Sequence, residues 1–470
     1  MTNKQNITPL QRVLSYFDAP LMFSYFGLGF AFCWSHATQR LVYNNQDGMF
    51  QVVQYLGTVC ICLLFYLIAK RKNMSLSTKR SIQIIGAILG LACSPLIVLP
   101  GVWQSSQTLV LIIGFISGAL LGLLYLMWAS FYQMLDIKVS ILILCGTLIL
   151  SSLIKVFIDS LGHDISGVLA CAMLPLASIL CLNHAKAKVS PPDQRKNLYI
   201  SGEIYKLKDM SIGVFLFSFA IGLFMAINLE IFTMPLLYKL LTQILTITLG
   251  AGIVIAVYKR QDVFSPSKIW FFVLLMIATG LVAATINGGV IGHVSLALFT
   301  VAQLAVIAFL WLILSDVSHN SLYPSDMVFG IGWSLYALPI ALGLFTPRFF
   351  PTDFDQRDIS LGVLYLLMIA MFFFINKHQP GDLHLFSDLK PTHLKTDRFV
   401  HQVALFSKHY DLTVREQEVV VLYAQGRSRA YISSQYVISE NTVRDHIQKV
   451  YKKAAIHNKQ ELIDTILLEK

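Results

Sequence analysis

Between Asn441 and Lys452 the chain places polar and charged side chains at spacings that give one hydrogen-bonding face. In ENTVRDHIQKVYKK, Val443, Ile447, Val450 and Tyr451 fall on one side of a helix turning about 100° per residue. The opposite side carries Arg444, Asp445, Gln448, Lys449 and Lys452. An arginine can fork onto guanine O6 and N7, and a carboxylate can accept from the cytosine amino group. Lysines beside them suit phosphate oxygens. The chemistry on offer is recognition of duplex nucleic acid, with no reacting group.

Three further helical patterns would position that face. Thr413 caps a helix with Glu416 at the capping-box position, Val414 in the first turn, and Val419, Val420 and Tyr423 on its apolar side. Gly426 stops it. Ser428 starts a second helix carrying Ile432, and Val437 and Ile438 lead out of it to Ser439, which opens the third with Thr442 behind it. A fourth, from about Gln460, buries Leu462, Ile466 and Leu467. Two helices joined by a short turn, the second amphipathic and basic outside, form a helix-turn-helix that sets the second helix in the major groove.

The stretches LTVREQEVVVLYAQGRS, ISENTVRDHIQKVYKK and HNKQELID together resemble the LuxR-type (FixJ/NarL-type) DNA-binding domain over its full length. Ala454-Ala455 stand where that family usually has Leu-Gly, and Arg429-Ala430-Tyr431 replace Asn-Lys-Glu. The resemblance and the face geometry imply that Arg444, Asp445 and Gln448 reach base edges. Thr442, Asn441, Lys449 and Lys452 would hold phosphates, with Arg427 beside them. Glu418 and His446 occupy positions read as structural. Family members usually act as dimers on paired half-sites, so a homodimer is expected. Residues 411–470 hold nine Lys/Arg and eight Asp/Glu, so affinity for DNA must come from local placement on the third helix.

The rest of the chain is a different material. Overall 56% of residues are hydrophobic and only 13% charged, which points to a polytopic membrane protein embedded in a lipid bilayer. Apolar segments long enough to span occur at 19–38, 50–69, 81–100, 107–131, 137–157 and 165–182. They resume at 210–229, 235–258, 268–286, 291–315, 327–346 and 359–376. On one side, Lys and Arg number two before the first span, five in 70–80, one at Lys138, six in 183–209 and three in 259–268. The opposite loops hold Arg40, Arg348 and Arg357, so the bias is seventeen to three. The positive-inside rule places both termini in the cytoplasm of a cell (inner or plasma) membrane. The polar first eighteen residues and the absence of a small-residue cleavage site make the first apolar run a retained span.

AKRKN at 69–73 and YKRQD at 258–262 end corresponding spans of the two halves. Six plus six spans around a basic loop resemble the major facilitator superfamily in topology. That superfamily's acidic Gly-x-x-x-Asp loop between spans two and three is absent; AKRKNMSLSTKR keeps its basic part. The expected fold is all-α: a twelve-span transmembrane bundle with a 6+6 pseudo-repeat, then a cytoplasmic four-helix LuxR-type helix-turn-helix domain. The expected divisions are a 1–18 cytoplasmic segment, a 19–182 first half, a 183–209 basic loop, a 210–376 second half, a 377–410 connector and a 411–470 DNA-binding domain. In the connector Phe399, Val403 and Phe406 suggest a helix that docks on that domain or stacks before it.

Charges inside spans are costly and often functional. Lys155 is the deepest and is the candidate ligand-binding residue, with snorkelling to the interface as its ordinary alternative. Asp136, Glu230, Lys239 and Asp316 lie nearer the ends, and His36, Asn228 and Gln303 could line the same cavity. Gly114, Gly118 and Gly122 form a small-residue stripe that reads as helix packing within the bundle. Seven cysteines in or beside apolar segments read as buried thiols, and connector histidines 378, 384, 393, 401 and 409 as a solvated linker. No nucleophile elbow, phosphate loop or metal-binding helix motif occurs, so no enzyme, cofactor or metal is expected. The reading is a membrane-embedded one-component transcriptional regulator. Its bundle senses an unknown small-molecule or membrane signal and its helix-turn-helix binds double-stranded promoter DNA. The alternative is a solute transporter with a fused DNA-binding regulatory domain.

Overall fold

The computed structural model describes residues 22–42, 48–98, 107–160, 163–189, 207–227, 235–259, 289–349, 402–424 and 429–468, apart from 404 and 437, with a few positions in 362–369. The expected span at 268–286 lies outside them, as do Arg427, Asn228, Glu230 and nearly all of 359–401. Contacts divide the chain into Met1–Leu389 and Lys390–Lys470.

The described residues of the first unit form helices joined by short turns and loops. Its helices are α1 Leu28–Val42, α2 Met49–Lys72, α3 Arg80–Val98, α4 Gln107–Tyr132, α5 Ile137–Ser160, α6 His163–Lys188, α7 Leu207–Ile227, α8 Leu236–Lys259, α9 Gly289–His319 and α10 Ser325–Phe345. Each coincides with one of the expected apolar segments. Among the described residues six helices are long and apolar enough to cross a membrane: α2, α4, α5, Leu236–Ile255, Val290–His319 and Ser325–Phe349. The outer surface differs from that of a water-soluble bundle. Leu64, Leu67, Ile84, Ile88, Leu153, Phe157, Leu180, Leu237 and Ile244 face outward, while Gln54, Thr58, Ser117, Lys155 and Asp326 are buried. An apolar exterior around an apolar core that also holds polar groups suits hydrocarbon as solvent.

Close backbone approach explains the glycine stripe. Cβ atoms added at Gly114, Gly118 and Gly122 would press on the Phe50, Gln54 and Thr58 carbonyls of α2. Thr58 Oγ1 donates to the Gly118 carbonyl at 2.9 Å across the same seam. Gly222 and Gly343 give α7 and α10 a matching close contact. Among the described residues the halves meet most extensively through α2 with α10 and α5 with α8.

At one end of the bundle the halves are also tied by hydrogen bonds. Asp326, fully buried at the start of α10, accepts from the Leu76 and Ser77 amides at 2.8 and 3.0 Å and from the Ser77 hydroxyl. Gln133 Nε2 donates to the Ser318 and Tyr323 carbonyls, both at 3.0 Å. His319 Nε2 lies 3.3 Å from Asp136 Oδ1. The loop between α2 and α3 carries no acid of its own, and the opposite half supplies one.

The second unit has two joined apolar clusters. Val419, Ile432, Val443 and Ile447 seat its middle helices. Val403, Phe406, Val420, Ala424, Val450, Ala454, Ile456, Leu462 and Ile466 form the other cluster. Four of its helices are α11 Val414–Ala424, α12 Arg429–Tyr436, α13 Glu440–Ala454 and α14 Lys459–Leu468, and residues 402–403 and 405–409 before them are helical too. Val403 and Phe406, from the connector, are wholly buried in this core.

Candidate nucleic-acid interface and bundle cavity

Helix α13 is built from a strong start, one apolar stripe and an unusual stop. Ser439 caps it, its Oγ accepting from the Thr442 amide at 3.0 Å and lying 2.8 Å from the Thr442 hydroxyl. Val443, Ile447, Val450 and Ala454 are buried. Asn441, Asp445, Gln448 and Lys452 follow at i, i+4, i+7 and i+11 and stand opposite that stripe, all exposed. Arg444 and Lys449 flank them, also exposed. Six of the eight expected DNA contacts therefore share one open surface. Thr442 is exposed too, but its hydroxyl belongs to the cap.

The residues that hold α13 in place were only partly visible in the sequence. The capping box forms, Thr413 N donating to Glu416 Oε2 at 2.8 Å and Glu416 N to Thr413 Oγ1 at 3.3 Å. Lys453, which periodicity leaves on the outer edge of α13, donates to that same Oε2 at 2.8 Å and to the Asp411 carbonyl at 2.7 Å. Burial pushes the Glu416 carboxyl up, but the Lys453 ammonium and Thr413 donors outweigh it and hold it below the usual carboxylate range. Glu418 bonds Arg415 at 2.7 Å, and its carbonyl accepts from the Tyr436 hydroxyl at 3.4 Å. Lys453 thus ties the end of the recognition helix to the start of α11. A positive residue in the last turn of a helix was its only sequence signal.

In the first unit a cavity of about 170 Å³ opens between the halves. His36 of α1, Gln54 and Tyr55 of α2, Tyr125 of α4 and Lys155 of α5 line it from one half. Lys239 and Gln243 of α8, Gln303 of α9, and Trp333 and Tyr336 of α10 line it from the other. His36, Lys155, Lys239 and Gln303, separate in the sequence, are therefore brought together. Asp136 and Asp316 are not among the lining residues. Asp159 was not singled out in the sequence. It lies behind His36, whose Nε2 is 3.3 Å from Oδ1. Toward the Asp326 end an aromatic cluster closes in. Tyr125 stacks on Trp333 at 4.6 Å, and Trp311 meets Tyr132 and Phe329 edge-on at 5.3 Å.

These features define a helix-turn-helix domain carried in one polypeptide with a polytopic membrane bundle. Residues 411–466 match the family of bacterial regulatory proteins, luxR family, and form a luxR-type DNA-binding domain. The chain is similar to the human organic anion transporter MFSD10 (TETRAN), with a TM-score of 0.53 and 13% identity over 78% of this chain and 99% of that one. It is similar to the same degree, 0.53 and 13%, to the major facilitator superfamily proton:xylose symporter XylE bound to 6-bromo-6-deoxy-D-glucose, over 80% of this chain and 96% of that one. At such identity the likeness concerns fold alone, and the membrane unit has a major-facilitator-like fold. No curated protein matches the chain.

Proposed function

We propose that the protein is a one-component transcriptional regulator held in the cell membrane, its bundle acting as sensor and α13 binding promoter DNA. The observation that carries this reading is the union, in one chain, of a luxR-type domain with its polar helix face open and a bundle with a buried polar cavity. Arg444, Asp445 and Gln448 read base edges. Asn441, Lys449, Lys452, Thr442 and Arg427 hold the backbone. The bundle has twelve spans with both termini cytoplasmic, and a second copy of the chain completes binding to paired half-sites. The seventeen-to-three bias of basic residues supports the orientation. Lys70, Arg71, Lys72, Lys79 and Arg80 are exposed at the end tied by Asp326, which supports it further.

The test is selection from a randomised duplex library with purified full-length protein at fixed salt. A recurring sequence should be enriched, and Arg444→Ala should lose it. A wild-type selection that enriches nothing rejects the regulator reading. Solute accumulation by vesicles carrying residues 1–389 would favour the transporter alternative instead.

A further inference from the structure

We propose that the bundle cavity binds a small organic carboxylate, its charged head on Lys155 and its apolar body against Tyr125 and Trp333. The assignment rests on reading the bundle as a ligand-receiving sensor and names the class of ligand. Lys155 is 6% exposed and lines the cavity, yet it makes no hydrogen bond or ion pair with any described residue. Asp159, one turn along α5, is buried against His36, 3.3 and 3.4 Å from its Nε2. Lys239 adds a second positive charge from the other half. No Asp or Glu is among the described residues that line the space. An ammonium held in a low-dielectric interior with no hydrogen-bonded acceptor, and only the Asp159 carboxylate one turn away to offset its charge, is costly and favours an incoming anion.

Size and lining narrow the class. A cavity of about 170 Å³ has room for a compact acid. Phe32, Leu121, Leu304 and Ile307 make much of the wall apolar, which favours a carboxylate with a hydrocarbon or aromatic body over a hydrated inorganic anion. Gln54 and Gln303 offer neutral hydrogen bonds beside it.

The experiment is titration of purified full-length protein with acetate, butyrate, benzoate and dodecanoate, each against its own amide, read by calorimetry and by tryptophan fluorescence. At least one of the three small acids should bind about tenfold or more tightly than its amide. Lys155→Met should remove that preference, and Lys155→Gln serves if the first variant does not fold. The proposal is overturned if no small acid outbinds its amide, or if the preference survives in Lys155→Met. It is equally overturned if dodecanoate binds tightest and does not respond to the variant, since that marks a lipid groove. Carboxylate binding that leaves promoter occupancy unchanged would uphold this ligand class and reject the sensor reading.

Discussion

Ala455 ends the recognition helix at φ 52° and ψ 44°, its amide donating to the Tyr451 carbonyl. Side chains other than glycine pay about 1–2 kcal/mol in that left-handed region, and this is the position where the family resemblance leads one to expect Gly. Ala455→Gly should therefore stabilise residues 390–470 by about 0.5–1 kcal/mol in urea unfolding, part of the gain being offset by a looser unfolded chain. Glu416 sets an acid limit. Its carboxyl sits low in the fold, so its contribution is present above the unfolded value of about 4.3 and is lost as pH falls through the folded value. Wild-type protein should lose stability on acidification from pH 6 to pH 3 more steeply than Glu416→Gln. Parallel melting curves would show that Glu416 is not the titrating group. On the groove face, Asp445→Ala should raise affinity for non-specific DNA by removing repulsion from phosphates and relax preference at one base position. Arg444→Ala should cost about 1–3 kcal/mol on the preferred site. If Asp445→Ala changes neither quantity in titrations at fixed salt, that side chain does not face the groove.

At the scale of elements, two contacts hold the bundle helices in register. Gly118 lets α4 touch the backbone of α2, and no side chain fits there without moving the Gln54 carbonyl. Asp326 closes the 73–79 loop against the other half by accepting from one buried and one half-buried amide and from a hydroxyl. Asp326→Ala would leave those amides unpaired, at about 1–3 kcal/mol. The melting temperature of detergent-purified protein should fall clearly for Asp326→Ala and less for Asp326→Asn, which keeps one acceptor. A melting temperature equal to wild type in the alanine variant would mean the loop is held by its other contacts. The sequence signalled the glycine stripe by its four-residue spacing. It hid the Asp326 contact, because the acid and the amides it caps lie about 250 residues apart.

At the scale of the molecule, the DNA-binding unit draws on more chain than its family motif covers. Val403 and Phe406 are fully buried in its core, upstream of the matched residues 411–466. A fragment of 390–470 should fold alone and bind DNA weakly. A fragment of 411–470 should be less stable by on the order of 3–5 kcal/mol, the burial of two large apolar side chains. Comparable denaturant midpoints for the two would show that the connector residues do not contribute. In the full chain, reporter fusions after Lys188 and at Lys470 should read as cytoplasmic and one after Asn287 as external. A cytoplasmic signal at Asn287 would break the twelve-span topology.

Helix periodicity, caps and charge bias are local properties, and the sequence alone determined what depends on them. It placed the four helices of the DNA-binding domain, the Thr413–Glu416 capping box, the exposed side of α13 and the ten apolar segments that coincide with described helices. Only the tertiary structure decided which distant residues meet. It brought His36, Lys155, Lys239 and Gln303 to one cavity, put Lys453 on Glu416, and set Asp326 of one half over the loop of the other. Those meetings depend on how helices rotate and cross when they pack. Spacing along the chain reports which face a residue occupies on its own helix, and it does not report which helix that face will touch.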